Sequence, residues 1–127
     1  MFTAEEVAFL VEQRLGRIAT ASSNSEPDVA PVAFSLDDGV IVIDGFDNTK
    51  TRKYHNIKSN PRASFVVDDL ASVGPWRPRG VKVTGRVEIA GNDKPTLRIT
   101  PETIWSWGIN PNAAKVFAGM IEKRPAR

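Results

Sequence analysis

The segment Asn48-Thr49-Lys50-Thr51-Arg52-Lys53-Tyr54-His55-Asn56-Ile57 sets three cations among hydroxyl and amide side chains, where the pattern turns helical. A cation in the first turn of a helix opposes the macrodipole, at about 0.3 to 1 kcal/mol for an exposed position. An anion bound there reverses the sign. Free backbone N–H groups, the Thr51 hydroxyl and the side chains of Lys50, Arg52 and Lys53 would then converge on one phosphate. The competing reading has Asp44 and Asp47 neutralise the cluster with nothing bound, but two carboxylates do not balance Lys50, Arg52, Lys53 and Lys58. A second basic group, Arg77, Arg79 and Lys82, follows a proline- and glycine-rich stretch that carries Trp76. It reads either as a further anion contact or as a solvated loop. Trp76 suits a cofactor stack or a dimer contact, and equally a cover for the barrel end; Trp105 and Trp107 read as such covers.

Other chemistry is excluded by what the chain lacks. There is no cysteine, and His55 is the sole histidine, so neither a thiolate nucleophile nor a multi-histidine metal site can be built; no metal is expected. Asp37-Asp38 and Asp68-Asp69 are adjacent, and neighbours on a strand point to opposite faces, so neither pair makes an acid–base couple. No Gly-x-Ser-x-Gly, Walker loop or Rossmann fingerprint appears. Tyr54 reads as a packing residue, His55 as a surface residue, and no catalytic side chain is assigned. The net charge of +2 does not by itself choose among nucleic acid, membrane surface and small polyanion. The two basic groups favour the last, with nucleic acid the weaker alternative.

The elements that must position these residues are mostly strands. Thr3 and Glu6 have capping-box spacing, predicting a helix from Ala4 to Gln13 closed by Gly16. Strands follow at Ile18–Ala21, at Val29–Leu36 up to the Asp38-Gly39 hairpin signal, and at Val40–Asp44. Asn48 to Ser59 reads as a short helix capped by Asn48 or Thr49, ending at Asn60-Pro61. Ala63–Val67 and the alternating run Val81–Ile89 are strands, and Pro75 to Gly80 is too rich in proline and glycine to be regular. Leu97 begins another strand that Ile104–Trp107 continues past Pro101, and Ala113 to Lys123 reads as a closing helix. Short antiparallel strands with peripheral helices suggest a mainly β (α+β) barrel. Hydrophobic residues make up 41% of 127 residues, enough for the core of one domain, 1–127. No apolar run is long enough to span a bilayer and the first residues are acidic, so a cytoplasmic protein without a membrane partner is expected.

Thr51-Arg52-Lys53, then Asn56-Ile57, then Asn60-Pro61 ahead of a strand, resembles the Ser-Arg-Lys…Gln-Leu…Asn-Pro segment of pyridoxamine 5′-phosphate oxidase-like proteins. The likeness runs from Gly16-Arg17-Ile18-Ala19-Thr20 through Phe65–Asp69 and Pro75–Val81 to Arg98-Ile99-Thr100-Pro101 and Ser106-Trp107-Gly108. It implies an FMN-binding-like split β-barrel in which Arg52 and Lys53 hold a cofactor phosphate. It also implies a homodimer with the cofactor ring in a groove at the interface, against Val32 and Ala33. The runs Val67–Val73, Pro75–Gly80 and Ile104–Gly108 are most similar to the short actinobacterial branch that uses coenzyme F-420, a deazaflavin. Two departures set the chain apart from a true pyridoxamine phosphate oxidase: Lys94-Pro95 and Trp105-Ser106-Trp107 replace its C-terminal substrate segment. The implied activity is hydride transfer between coenzyme F-420 and a small organic molecule. Cofactor contacts are expected from Val32, Ala33, Lys50, Thr51, Arg52, Lys53, Trp76, Arg77 and Arg79. An FMN-dependent oxidase or reductase and a non-catalytic deazaflavin carrier are the alternatives.

Overall fold

The computed structural model describes residues 1–110 and 121–126. Helix α1 (Ala4–Glu12) begins with the capping box: Glu6 N donates to Thr3 Oγ1 at 3.1 Å and Thr3 N donates to Glu6 Oε1 at 2.9 Å. Phe9 and Leu10 turn inward from it. The helix stops at Gln13 rather than at Gly16, which instead lies inside strand β1 (Leu15–Ala21). There the glycine is needed for room, because a Cβ would stand 2.2 Å from the Phe65 ring.

Strand β1 pairs antiparallel with β2 (Pro27–Ala33) across the Ser22–Glu26 turn. The expected single strand from Val29 to Leu36 breaks at Phe34, whose ring packs edge-on against Phe65 at 5.1 Å. Beyond the break, β3 (Ser35–Asp37) changes partner and pairs with β4 (Val40–Ile43) through the Asp38-Gly39 turn. Both turn residues have positive φ, 50° and 83°, as the tight hairpin requires.

After β4 the chain enters a 3₁₀ turn (Asn48–Lys50) and then helix α2 (Arg52–Ser59), so the expected continuous helix is two pieces with Thr51 between them. Three long strands follow: β5 (Arg62–Val73), β6 (Trp76–Ala90) and β7 (Thr96–Trp107). The Pro75–Gly80 segment, expected to be irregular, is strand from Trp76 onward, with Trp76 opposite Val73 and Pro78 opposite Leu70. Cross-strand pairing there outweighs the local bias of proline and glycine. Strand β7 runs unbroken past Pro101, with a bulge opposite Thr84 and Gly85. The expected helix at Ala113–Lys123 lies mostly outside the described residues; its last positions, Glu122 and Lys123, belong to strand β8 (Glu122–Pro125), which pairs with β7.

The strand order is β2-β1-β5-β6-β7-β4-β3, with β8 on the free end of β7. All pairings are antiparallel. The sheet curls around a core of Ile18, Phe65, Val67, Val83, Leu97, Ile99 and Ile104, giving the split β-barrel with peripheral helices. Among the described residues no helix is long and apolar enough to cross a membrane.

Candidate functional site

A cleft of ≈ 500 Å³ is lined on one side by Pro31, Val32 and Ala33 of β2. The end of β4 (Ile43), the loop after it (Gly45, Phe46, Asp47) and the start of the helical segment (Asn48, Thr51, Lys53) form the other side. One wall is thus apolar and one end cationic. Of the residues expected to hold a cofactor, Val32, Ala33, Thr51 and Lys53 share this cleft.

Its helical side is built by two N-caps in succession. The Asp47 carboxylate accepts from Thr49 N at 3.0 Å and from the Thr49 hydroxyl, and these bonds lower its pKa. Thr51 caps α2, accepting from Tyr54 N at 3.3 Å while donating its proton to Asn48 O at 2.6 Å. The Thr51 hydroxyl thus serves as the cap of α2, and the residue also lines the cleft. The first N–H groups of α2, at Arg52 and Lys53, precede any intrahelical partner and are the donors available there.

Lys53 is half-buried at the cationic end. Burial pushes its ammonium pKa below 10.5, and the Asp28 carboxylate on β2 opposes that push. An anion placed beside such a group restores the interactions lost to burial. Lys50 and Arg52 are not among the lining residues. Lys50 is exposed, 3.9 Å from Asp47, and Arg52 extends into solvent from the first turn of α2.

Sequence reasoning missed Asn48 as the keystone. It is buried, and its amide Nδ2 donates to the carbonyls of Ile43 (3.1 Å), Asp44 (2.8 Å) and Pro95 (2.9 Å). The asparagine signals a cap in sequence; only the long-range meeting with Pro95 makes it a clamp. Gly45, at φ 62°, lies so close that a Cβ would stand 2.8 Å from Asn48 Oδ1.

The second basic group sits elsewhere. Trp76 and Arg77 lie at the exposed end of the β5–β6 hairpin, outside the cleft of their own chain. Arg79, expected to meet an anion, is instead ion-paired: Nε donates to Asp69 Oδ1 at 2.8 Å and a terminal nitrogen to Oδ2 at 2.6 Å. Its guanidinium lies 5.0 Å from the Phe9 ring centroid, and Gln13 completes the Asp69 carboxylate. The pair lowers the pKa of Asp69 and raises that of Arg79, mainly through these hydrogen bonds. Lys82 lies 4.1 Å over the Trp105 ring. Tyr54 packs against the core and edge-on to His55. A larger hollow of ≈ 610 Å³ between β6, β7 and β8 contains none of the expected residues, and its rim mixes Arg86 with Glu88 and Glu102.

The family model for pyridoxamine 5′-phosphate oxidase matches residues 2–108. The chain belongs to that family. It is 35% identical over 119 residues to the 5a,11a-dehydrotetracycline/5a,11a-dehydrooxytetracycline reductase of Streptomyces rimosus, covering 85% of this chain and 84% of the reductase. Among solved structures, the conserved hypothetical protein Rv2991 from Mycobacterium tuberculosis superposes with a TM-score of 0.73 at 21% identity, covering 85% of each chain. A FAD-binding protein from Mesorhizobium loti superposes at 0.67 with 20% identity, covering 84% of this chain and 93% of its own.

Proposed function

We propose that this protein is an oxidoreductase that uses coenzyme F-420 to transfer hydride to a small organic acceptor, with the cofactor seated in the β2–α2 cleft. The observation that carries the reading is the cleft itself. An apolar wall of Val32, Ala33 and Ile43 runs into a cationic end at Lys53, matching a planar ring tethered to a phosphate. Similarity to a named reductase, over most of both chains, supports reduction as the chemistry.

The residues present fit such a group. The edge of β2 at Val32 and Ala33 offers an apolar wall to one side of the ring. Lys53 and the first N–H groups of α2 face the phosphate, and Arg52 adds charge from the rim. Asn48 fixes the loop that closes the far side. When bound, the cofactor supplies the hydride, so the chain's task is to bind, orient and keep the site dry.

A homodimer completes the site. The exposed apolar residues Leu15, Val29, Phe46, Val73 and Trp76 suit a covered surface. Trp76 and Arg77, remote from their own cleft, would enter the cleft of a second copy. Arg79, locked to Asp69, would brace the hairpin that carries them.

The test is the absorbance spectrum and mass of the small molecule that copurifies from a host making both cofactors, followed by titrations with coenzyme F-420 and FMN. Tighter FMN binding moves the protein to the flavin reading. Deazaflavin binding with no turnover on any activated alkene or quinone moves it to a carrier.

A further inference from the structure

Phe46 is 98% exposed, the most exposed large apolar side chain among the described residues. A phenyl in water is ordinary on a slack loop, but the backbone on both sides of this one is fixed. Before it, Gly45 turns at φ 62° against Asn48, whose amide holds the carbonyls of Ile43 and Asp44 at 3.1 and 2.8 Å. After it, the Asp47 carboxylate accepts from Thr49 N at 3.0 Å, and Asp47 O accepts from Lys50 N at 3.2 Å. Only the phenyl is left in solvent, able to turn about its two side-chain torsions while the loop holds still.

Of the exposed apolar residues Leu15, Val29, Phe46, Val73 and Trp76, Phe46 alone lines the β2–α2 cleft, which it shares with Val32, Ala33 and Ile43. The apolar surface open to it is the cleft's, because its neighbours along the loop are Asp44, Gly45 and Asp47. A planar ring has two faces, and the wall at β2 can cover only one of them. We infer that Phe46 covers the other, and is the residue by which the cleft selects a flat, ring-bearing ligand over a phosphate that carries no ring. The inference rests on the cofactor reading of the cleft and adds to it a division of labour. Lys53 attracts any phosphate, whatever is attached to it. Phe46 responds to the ring alone, by offset stacking that needs only two torsions to be fixed. The pinned loop sets the phenyl at the cleft before any ligand arrives, so little backbone order is lost on binding.

The experiment titrates the whole protein with FMN, with coenzyme F-420 and with ribose 5-phosphate, which has a phosphate and no planar ring, by calorimetry and ligand emission. Phe46→Ala should weaken both ring-bearing ligands by about tenfold or more and leave ribose 5-phosphate unchanged, whereas Lys53→Ala should weaken all three. Iodide should quench the emission of the bound ring more readily in Phe46→Ala. Phe46→Trp should restore the affinity and dim the bound flavin, as an indole in contact with it does. Unfolding midpoints should stay at the wild-type value, since the phenyl is in solvent in the free protein. Wild-type affinity and iodide access in Phe46→Ala overturn the inference, and so does an equal loss for ribose 5-phosphate. A dimer that separates in sedimentation when the phenyl is removed also overturns it, making Phe46 a subunit contact. If FMN binds more tightly than coenzyme F-420 and Phe46→Ala weakens both, the deazaflavin reading falls and the ring contact stands. Binding that depends on Lys53 but ignores Phe46 removes the ring contact alone; binding of neither ring removes both.

Discussion

Removing the Arg124 guanidinium should destabilise the fold more than any other single charge removal at an ion pair, because its partner is wholly enclosed. Glu6 is 0% exposed, whereas the carboxylates of the other ion pairs reach solvent. Its carboxylate accepts from both terminal nitrogens of Arg124, one at 3.0 Å, and from Thr3 N at 2.9 Å; Arg124 also donates to Met1 O at 2.8 Å. Burial pushes the Glu6 pKa up, but hydrogen bonds from Arg124, Ser106 and Thr3, with the charge of Arg124, overcome it and leave the pKa lowered to about 2. Against an unfolded value near 4.5, that depression contributes about 3 kcal/mol of stability at neutral pH. Because the folded pKa is the lower one, the contribution is complete above pH 4.5 and is lost as pH falls toward 2.

In Arg124→Ala the burial cost stands without its counterweight, so the loss should reach about 3 to 5 kcal/mol at pH 7. The pH dependence then reverses. With Arg124 gone, burial raises the Glu6 pKa above its unfolded value, so acidification toward pH 5 neutralises the carboxylate and shrinks the difference from wild type. Urea unfolding of both proteins at pH 7 and pH 5, with slopes compared for two-state behaviour, measures this. A loss below about 1 kcal/mol, or a loss independent of pH, would refute the argument. Glu6→Gln with Arg124→Met, which removes both charges, should recover most of the stability.

Lys53→Ala should weaken cofactor binding by about 1.5 to 3 kcal/mol, and Arg52→Ala by the lower end of that range, since only Lys53 lines the cleft; fluorescence titration at two salt concentrations measures both. Wild-type affinity in both variants removes the helix-start anion site. Asn48→Ala deprives three carbonyls, those of Ile43 and Pro95 buried, of their donor and should cost about 2 to 4 kcal/mol of stability, with cofactor binding falling in step, as read by denaturation and titration. Gly85→Ala would place a Cβ 2.0 Å from Thr100 O, a backbone atom that cannot step aside, so unfolding midpoints should fall by at least the equivalent of about 2 kcal/mol.

The sheet was legible wherever alternation and turn chemistry acted locally: the β3–β4 hairpin at Asp38-Gly39, the long run Val81–Ile89 and the capping box at Thr3 are all present. The misreadings have one cause, a distant partner overriding a local signal. Gly16 resembles a helix stop, yet it is a strand residue making way for the ring of Phe65. Pro78 and Gly80 resemble loop residues, yet the 12 residues of β5 hold them in register. Val29–Leu36 alternates like one strand, yet it divides at Phe34 because its halves serve different neighbours.

The same logic applies to the cationic segment, whose place at a helix start was legible in sequence and whose detailed contacts were not. Cations clustered at a helix start are visible in sequence because they conflict with the helix dipole, and that conflict points to an anion. Which of them lines the cleft depends on where β2 passes: Lys53 is half-buried there, while Lys50 and Arg52 are exposed outside it. Thr51 caps α2 and gives its single proton to Asn48 O, a role that depends on the turn before it. The break at Phe34 belongs to this arrangement. By sending β3 to pair with β4 while β2 stays with β1, it leaves Val32 and Ala33 at a free sheet edge facing α2. A continuous strand there would close the barrel and fill the cleft, so the split that sequence alternation did not disclose is what gives Lys53 a cavity to face.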